Sequence, residues 1–198
     1  MNVRVRASAA SNQIMLRLPE RRDGADLHEL IAHCPPLDLN SRYAYLLLCE
    51  HHAATSVVAQ IKGRLVGAIT AYVPPTQPGT LFIWQVAVAP NMQGQRLGSR
   101  MLDHLVERCA RNCGVQQIAA TISPSNIGSQ NLFKSYARRH HADIQAQPYL
   151  TAVDFGDGQH EEEWLYQISP VRVQSNCVVT TIPSTIHQEK HDAYIQST

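Results

Sequence analysis

Leu81-Phe82-Ile83-Trp84-Gln85-Val86-Ala87-Val88, followed after four residues by Gln93-Gly94-Gln95-Arg96-Leu97-Gly98, decides the fold. The first string is an almost unbroken apolar run, which predicts a central strand buried on both faces. The second predicts a short glycine-containing loop and the start of a helix. From there Leu97, Met101, Leu102, Leu105, Val106 and Cys109 recur at helical spacing, so the helix runs to about Cys113 and Gly114 ends it. Strand, loop and helix start together make an anion cradle. The first N–H groups of the helix have no partner within it, and the helix dipole adds positive potential where they point. The string is neither GxxxxGK[ST] nor GxGxxG, so nucleotide hydrolysis and dinucleotide binding lose support.

Working outward, Ile14 to Leu18 reads as a short strand. Asp23-Gly24 opens a helix with Leu27, Leu30 and Ile31 on its apolar face, stopped by Pro35-Pro36. Asp38 to Ser41 can cap a second helix, Tyr43 to Ala53. Ser56–Ile61 and Arg64–Val73 are strands joined at Lys62-Gly63, a hairpin signal. Downstream, Gln117 to Ile122 is a strand, Pro124-Ser125-Asn126 leads into a helix through Tyr136, and strands lie within Ile144–Phe155 and Glu163–Ile168. The order is one strand, two helices, three strands, helix, strand, helix, two strands. That predicts an α/β layer with a mixed sheet. Residues 14–170 form the domain, with a loose extension over 1–13 and another, patternless one over 171–198.

Composition narrows the function. The 198 residues are 44% apolar and 17% charged, as a packed globule requires. A formal net charge of +1 speaks against a nucleic-acid or membrane-surface partner. Met1 to Asn12 has no apolar core of the secretory kind, and no apolar run is long enough to span a bilayer. Five cysteines without CxxC spacing fit a reducing cytoplasm. Cys109 and Cys113, one turn apart, read as a buried helix face. His51-His52 and His140-His141 are adjacent pairs that point in different directions on a helix, so no metal is expected.

The Gln93–Gly98 segment resembles the coenzyme A site of the GNAT N-acetyltransferases, whose signature is Q/R-x-x-G-x-G/A. Gln93 and Gly98 match its ends, with Gly94, Gln95 and Leu97 between them, and Arg96 stands where the family usually has a glycine. The resemblance implies a GNAT-type acyl-CoA N-acyltransferase fold, in which a mixed, mostly antiparallel twisted sheet is flanked by helices. It also implies that Val86, Ala87 and Val88 offer main-chain groups to the pantetheine arm. Asn126 and Ser129 resemble the element that holds the pantetheine end and opens the following helix. Family members often have a tyrosine seven residues after that Asn as general acid to the departing thiolate. Here Phe133 occupies the position, and Tyr136 nearby lies on another face of the same helix, where a packing role is the plainer reading.

A closer resemblance covers about Arg17 to Pro170. Cys34-Pro35-Pro36-Leu37-Asp38, Asn40-Ser41, Tyr43 to Cys49, Leu81 to Val88, Thr121 to Asn126 and His160-Glu161-Glu162-Glu163 all look like the diaminobutyrate acetyltransferases. What this implies is transfer of acetyl from acetyl-CoA to the 4-amino group of L-2,4-diaminobutyrate, on the route to ectoine, by a cytoplasmic homodimer without a metal. Acetyl transfer to another small amine or a protein amine stays open, as does a non-catalytic acyl-CoA-binding module.

A diamine with one carboxylate needs anionic groups for its amines and donors for its acid. Asp38 is either a helix N-cap or the partner of a substrate amine. Glu161 and Glu163 share one face of a strand while Glu162 takes the other, as substrate acids or as a solvated edge. His160 either binds the substrate carboxylate or lies in a turn. Trp84 and Tyr43 either wall the amine pocket or pack in the core. The base that frees the attacking amine is Glu163 or Asp38, with Glu163 preferred, and a backbone N–H near Val86 is expected to meet the oxyanion.

Overall fold

The computed structural model describes residues 13–156 and 160–171. The expectations for the N-terminal extension before residue 13 and for the tail beyond 171 lie outside the described residues. In chain order the elements are β1 Met15–Arg17, α1 Gly24–Ala32, α2 Arg42–His51, β2 Val57–Ile61, β3 Arg64–Tyr72 and β4 Thr80–Val88. They continue with α3 Leu97–Cys113, β5 Gln117–Ile122, α4 Ile127–His140, β6 Asp143–Leu150 and β7 Glu163–Ser169. The predicted order of strands and helices holds throughout, and α4 runs four residues past its expected end at Tyr136.

Among the described residues the strands form one seven-stranded sheet in the order β1-β2-β3-β4-β5-β7-β6. Every neighbouring pair is antiparallel except β4 and β5. A parallel pair needs a crossover, and α3 provides it. Its stripe Leu97, Met101, Leu102, Leu105, Val106 and Cys109 is entirely buried and packs with Phe133, Tyr136 and Ala137 of α4 over one face of the sheet. Leu105→Ala here would cost about 2–5 kcal/mol. The second core covers the other face, where Leu27, Leu30 and Ile31 of α1 and Tyr45, Leu48 and Cys49 of α2 meet Ala68 and Ala87.

One local expectation is met in place and one needs correction. Asp23 stands at the N-cap position, with α1 opening at Gly24 as expected, but its side chain makes no capping bond. The carboxylate takes a bidentate pair of bonds from Arg17 at 2.6 and 2.8 Å and one from the Glu20 N–H. Cys113, the last residue of α3, is exposed rather than buried with Cys109.

Strand β4 positions the site. Its partner register with β3 skips Trp84, with Thr70 opposite Gln85 and Ala71 opposite Ile83. One extra residue turns the strand over. Leu81 and Ile83 therefore face the α3 core, while Ala87, of the same parity, faces the α1–α2 core. Contrary to the expectation of burial on both faces, Trp84 at the bulge is 39% exposed. Beyond it, β4 and β5 part. Their pairing covers only Thr80–Ile83 against Gln117–Ala120, and the far end of β5 pairs with β7 alone.

Candidate functional site

A cleft of about 980 Å³ starts in this fork. The expected coenzyme residues Val86, Val88, Gln93, Gly94, Arg96, Leu97, Gly98, Asn126 and Ser129 line it, joined by Cys34, Pro35, Pro36 and Leu37. The main chain of β4 is turned toward the gap. Ala89 N–H donates to Val66 of β3 at 2.9 Å, so strand alternation turns the polar groups of Val88 and Val86 to the edge that β5 has left. There the Val88 carbonyl accepts from the Gln93 side-chain amide at 3.2 Å and from the Cys34 thiol at 3.4 Å.

The loop before α3 takes two left-handed residues, Gly94 at φ +74° and Arg96 at φ +58°. Glycine enters that region freely, whereas a side chain costs about 1–2 kcal/mol. Arg96 is the N-cap of α3 and provides no side-chain cap, while α2 and α4 are capped by Ser41 and Asn126. The first N–H groups of α3 are thus left for a ligand at the dipole's positive end. A Cβ at Gly98 would meet Leu132 and Val88 at 3.7 Å, ordinary van der Waals contact, so the helix start lies close against α4 and β4. An anionic, elongated group fits this arrangement.

Three expected coenzyme residues stand off the cleft wall. Ala87 points into the α1–α2 core, and Gln95 turns its amide onto the Asn91 carbonyl at 3.0 Å. Phe133 is 2% exposed and belongs to the α3–α4 core. Tyr136 is buried too, stacked on His140, and burial pushes its phenol well above the ordinary range. It is a packing aromatic.

The second half of the site is an acidic corner beside the cleft. His160 Nε2 lies 3.2 Å from Asp38, its Nδ1 is 2.6 Å from the Glu161 carbonyl, and its ring stacks on Phe155 at 3.7 Å. The bond to the Glu161 carbonyl and the one to Asp38 raise the pKa of His160. Glu163, at the first residue of β7, is half-buried. Burial pushes its carboxyl up, His160 pulls it down, and Asp38 and Glu161 push it up further. Asp38 is not a helix cap, since Ser41 takes that position with a bond from Ala44 N at 3.2 Å. Its carboxylate is free for the corner.

β7 begins only at Glu163, so strand alternation does not govern Glu161 and Glu162. Both oxygens of Glu161 are taken by Ser125, at 2.9 Å from its N–H and 2.5 Å from its hydroxyl. Glu161, expected at the substrate, instead clamps the loop beside Asn126. Glu162 accepts from the Trp164 indole at 2.8 Å. Tyr43 is 68% exposed on α2 and Trp84 39% on β4, so neither fills the core.

The residues missed by sequence reasoning are those that hold Asp38. Gln85, 5% exposed in the centre of β4, donates its amide to the Asp38 carbonyl at 2.7 Å and accepts from the Tyr45 hydroxyl at 3.3 Å. That hydroxyl in turn accepts from the Asn40 N–H at 3.2 Å. The signal was present: a lone amide in an apolar run must find partners once buried. Through Gln85, the strand that borders the cleft also fixes the loop that carries Asp38. Among the described residues no group of three or more His, Cys, Asp or Glu is placed to hold a metal.

Known proteins share this layout. The model of the acetyltransferase (GNAT) family matches residues 24–137. The L-2,4-diaminobutyric acid acetyltransferase of Bordetella parapertussis is 44% identical over 171 residues, 85% of this chain and 91% of that protein. The protein of that name from Streptomyces avermitilis is 46% identical over 154 residues, covering 77% and 86%. A solved structure, diaminobutyrate acetyltransferase EctA from Paenibacillus lautus in complex with its substrate L-2,4-diaminobutyric acid and coenzyme A, superposes with a TM-score of 0.77. It is 40% identical, over 81% of this chain and 96% of that one.

Proposed function

This chain belongs to the acetyltransferase (GNAT) family and, within it, to the diaminobutyric acid acetyltransferases, and we infer that it moves the acetyl group of acetyl-CoA onto the 4-amino group of L-2,4-diaminobutyrate. The product, 4-N-acetyl-diaminobutyrate, is the precursor that cyclises to ectoine. The observation that carries this reading is a junction. The cleft with the uncapped α3 start touches the acidic corner at two places, Leu37 beside Asp38 and Ser125 under Glu161. A thioester in the first and a diamine in the second meet at the β4–β5 fork.

The chain's own groups divide the work. The α3 N-terminus and the loop from Gln93 to Arg96 hold the pyrophosphate. The main chain of Val86 and Val88, on the edge facing the gap, aligns the pantetheine arm, and an N–H there meets the oxyanion that forms on the thioester carbonyl. Asp38 anchors the α-amine, and His160, whose pKa is raised by its bonds to the Glu161 carbonyl and Asp38, meets the substrate carboxylate. Tyr43 and Trp84 wall the amine pocket. Only about one primary amine in a thousand is neutral at pH 7, so a base must take a proton before attack. Glu163 is that base: half-buried, with a pKa raised toward the working range, it can accept the proton from the 4-amine. The proposal includes a homodimer in the cytoplasm. Large apolar side chains exposed at Leu39, Leu46, Leu47, Tyr149 and Val153 are available for such a subunit contact. No helix among the described residues is long and apolar enough to cross a membrane.

The test is thiol release over a panel of acceptors. Diaminobutyrate is expected to be acetylated with the highest kcat/KM, above ornithine, lysine, polyamines and peptide N-termini. A peptide preferred over every small diamine contradicts the reading. Coenzyme A, and neither NAD nor ATP, is expected to raise the melting temperature.

A further inference from the structure

The cleft does not end at the α3 start. It continues along α4 past Asn131, Lys134, Ser135 and Arg138. Gly98 sits against Leu132, which sets the helix start beside the middle of α4 and puts Lys134 and Arg138 further along that groove. Among the described residues the charged side chains on the cleft wall are Arg96, Lys134 and Arg138, and no Asp or Glu lines it. The neighbouring arginine behaves differently. Arg139 is committed to Asp103 at 2.7 Å and to Ser135 at 3.0 Å. Arg138 has no ion pair or hydrogen bond among the described residues, and Lys134 has one neutral partner, Gln130, at 3.3 Å.

Charge counting says what such a wall would hold. A helix N-terminus is worth about half a positive charge, enough to favour one anionic group at its end. Coenzyme A carries a pyrophosphate and, across the ribose, a phosphate monoester with about two negative charges near pH 7. One helix end cannot answer both. Resting on the reading that acetyl-CoA occupies this cleft, we propose that Lys134 and Arg138 form a phosphate-monoester subsite for the 3′-phosphate of the coenzyme. The subsite makes the enzyme specific for the free coenzyme thioester over thioesters that lack this phosphate. A planar guanidinium and a flexible ammonium four residues apart can both reach one phosphate. Dipole complementarity at the end of α4 explains a basic last turn, but not why Lys134, mid-helix, faces the same groove with no ion-pair partner among the described residues.

The test compares acetyl-CoA with acetyl-3′-dephospho-CoA, each with diaminobutyrate as acceptor. The unaltered enzyme is expected to prefer acetyl-CoA by about tenfold in kcat/KM, with the difference in KM. In Arg138→Ala, and more completely in Lys134→Ala/Arg138→Ala, the ratio falls toward one because only the acetyl-CoA value drops. Arg64→Ala, which removes one positive charge from the hairpin end of β3, keeps the original ratio. An unchanged ratio in the double variant, or equal losses with both thioesters, overturns the subsite. Turnover of neither thioester by the unaltered enzyme overturns the acetyl-CoA reading along with it.

Discussion

The coenzyme cleft and the acidic corner meet at one fork in the sheet, yet they are built by opposite means. The cleft is made mostly of main chain: an unpaired strand edge, a left-handed loop and a bare helix start. Among the described residues its side chains contribute three cations and no acid. The corner is made of side chains drawn from the loop before α2 and from the start of β7, 122 residues apart at the His160–Asp38 contact. Side-chain substitutions other than to proline leave backbone donors in place, so such cleft substitutions should act gently and on acetyl-CoA alone. Corner substitutions should act hard and on the diamine.

The largest effect is expected at Glu163. Glu163→Gln should lower kcat about 10²–10³-fold and leave KM for acetyl-CoA unchanged. The same change should hold or raise the melting temperature at neutral pH. A carboxyl whose pKa is raised by folding binds its proton more tightly in the folded state. Its contribution to stability is therefore present at low pH and is lost as pH rises from the ordinary carboxylate range through the raised value. Glutamine removes that cost. The acid limb of the kcat/KM profile should lie above the usual glutamate range and vanish in Glu163→Gln. A variant with an intact acid limb would assign the base elsewhere, with Asp38 next in line.

Asp38→Ala comes second, raising KM for diaminobutyrate by about tenfold or more, against little change in Glu162→Ala, whose carboxylate serves the Trp164 indole. Gln85→Leu tests the link between the two regions. It takes the donor from the Asp38 carbonyl and leaves the buried Tyr45 hydroxyl without its acceptor. The expected cost is about 1–3 kcal/mol in stability and a several-fold rise in KM for the diamine only. An equal rise for acetyl-CoA would mean that Gln85 supports the whole fork rather than Asp38. The smallest effect belongs to the cleft. Arg96→Gly relieves the left-handed cap, stabilising by about 1 kcal/mol or less once glycine's entropy is counted, while KM for acetyl-CoA rises a few-fold.

The contrast also explains what was legible in the sequence. Periodicity fixes local elements, so the α3 stripe from Leu97 to Cys109 and the hairpin at Lys62-Gly63 could be read directly. The anion cradle was legible for the same reason, since it needs only a strand, a glycine and a helix start in succession. The bulge at Trp84 was not legible, because the extra residue shows only against β3. Nor was the role of Glu161 or the pairing of Asp38 with His160, because each depends on a partner far along the chain, Ser125 in the first case and His160 in the second. Phe133 was read from its spacing after Asn126, and spacing says nothing about how deeply a ring is buried. Gln85 stood in plain view inside an apolar run, where its polarity already demanded partners.

The central claim, that the corner turns a specific amine toward the thioester, is tested most directly by NMR of the product formed from ¹³C-acetyl-CoA and L-2,4-diaminobutyrate. The α-amine is usually the more acidic of such a pair, so intrinsic reactivity does not favour the 4-position and the site must impose it. The account predicts label on the 4-nitrogen, with correlation from the acetyl carbonyl to the 4-methylene protons. Label mainly on the α-nitrogen, or an even mixture of the two, would contradict it.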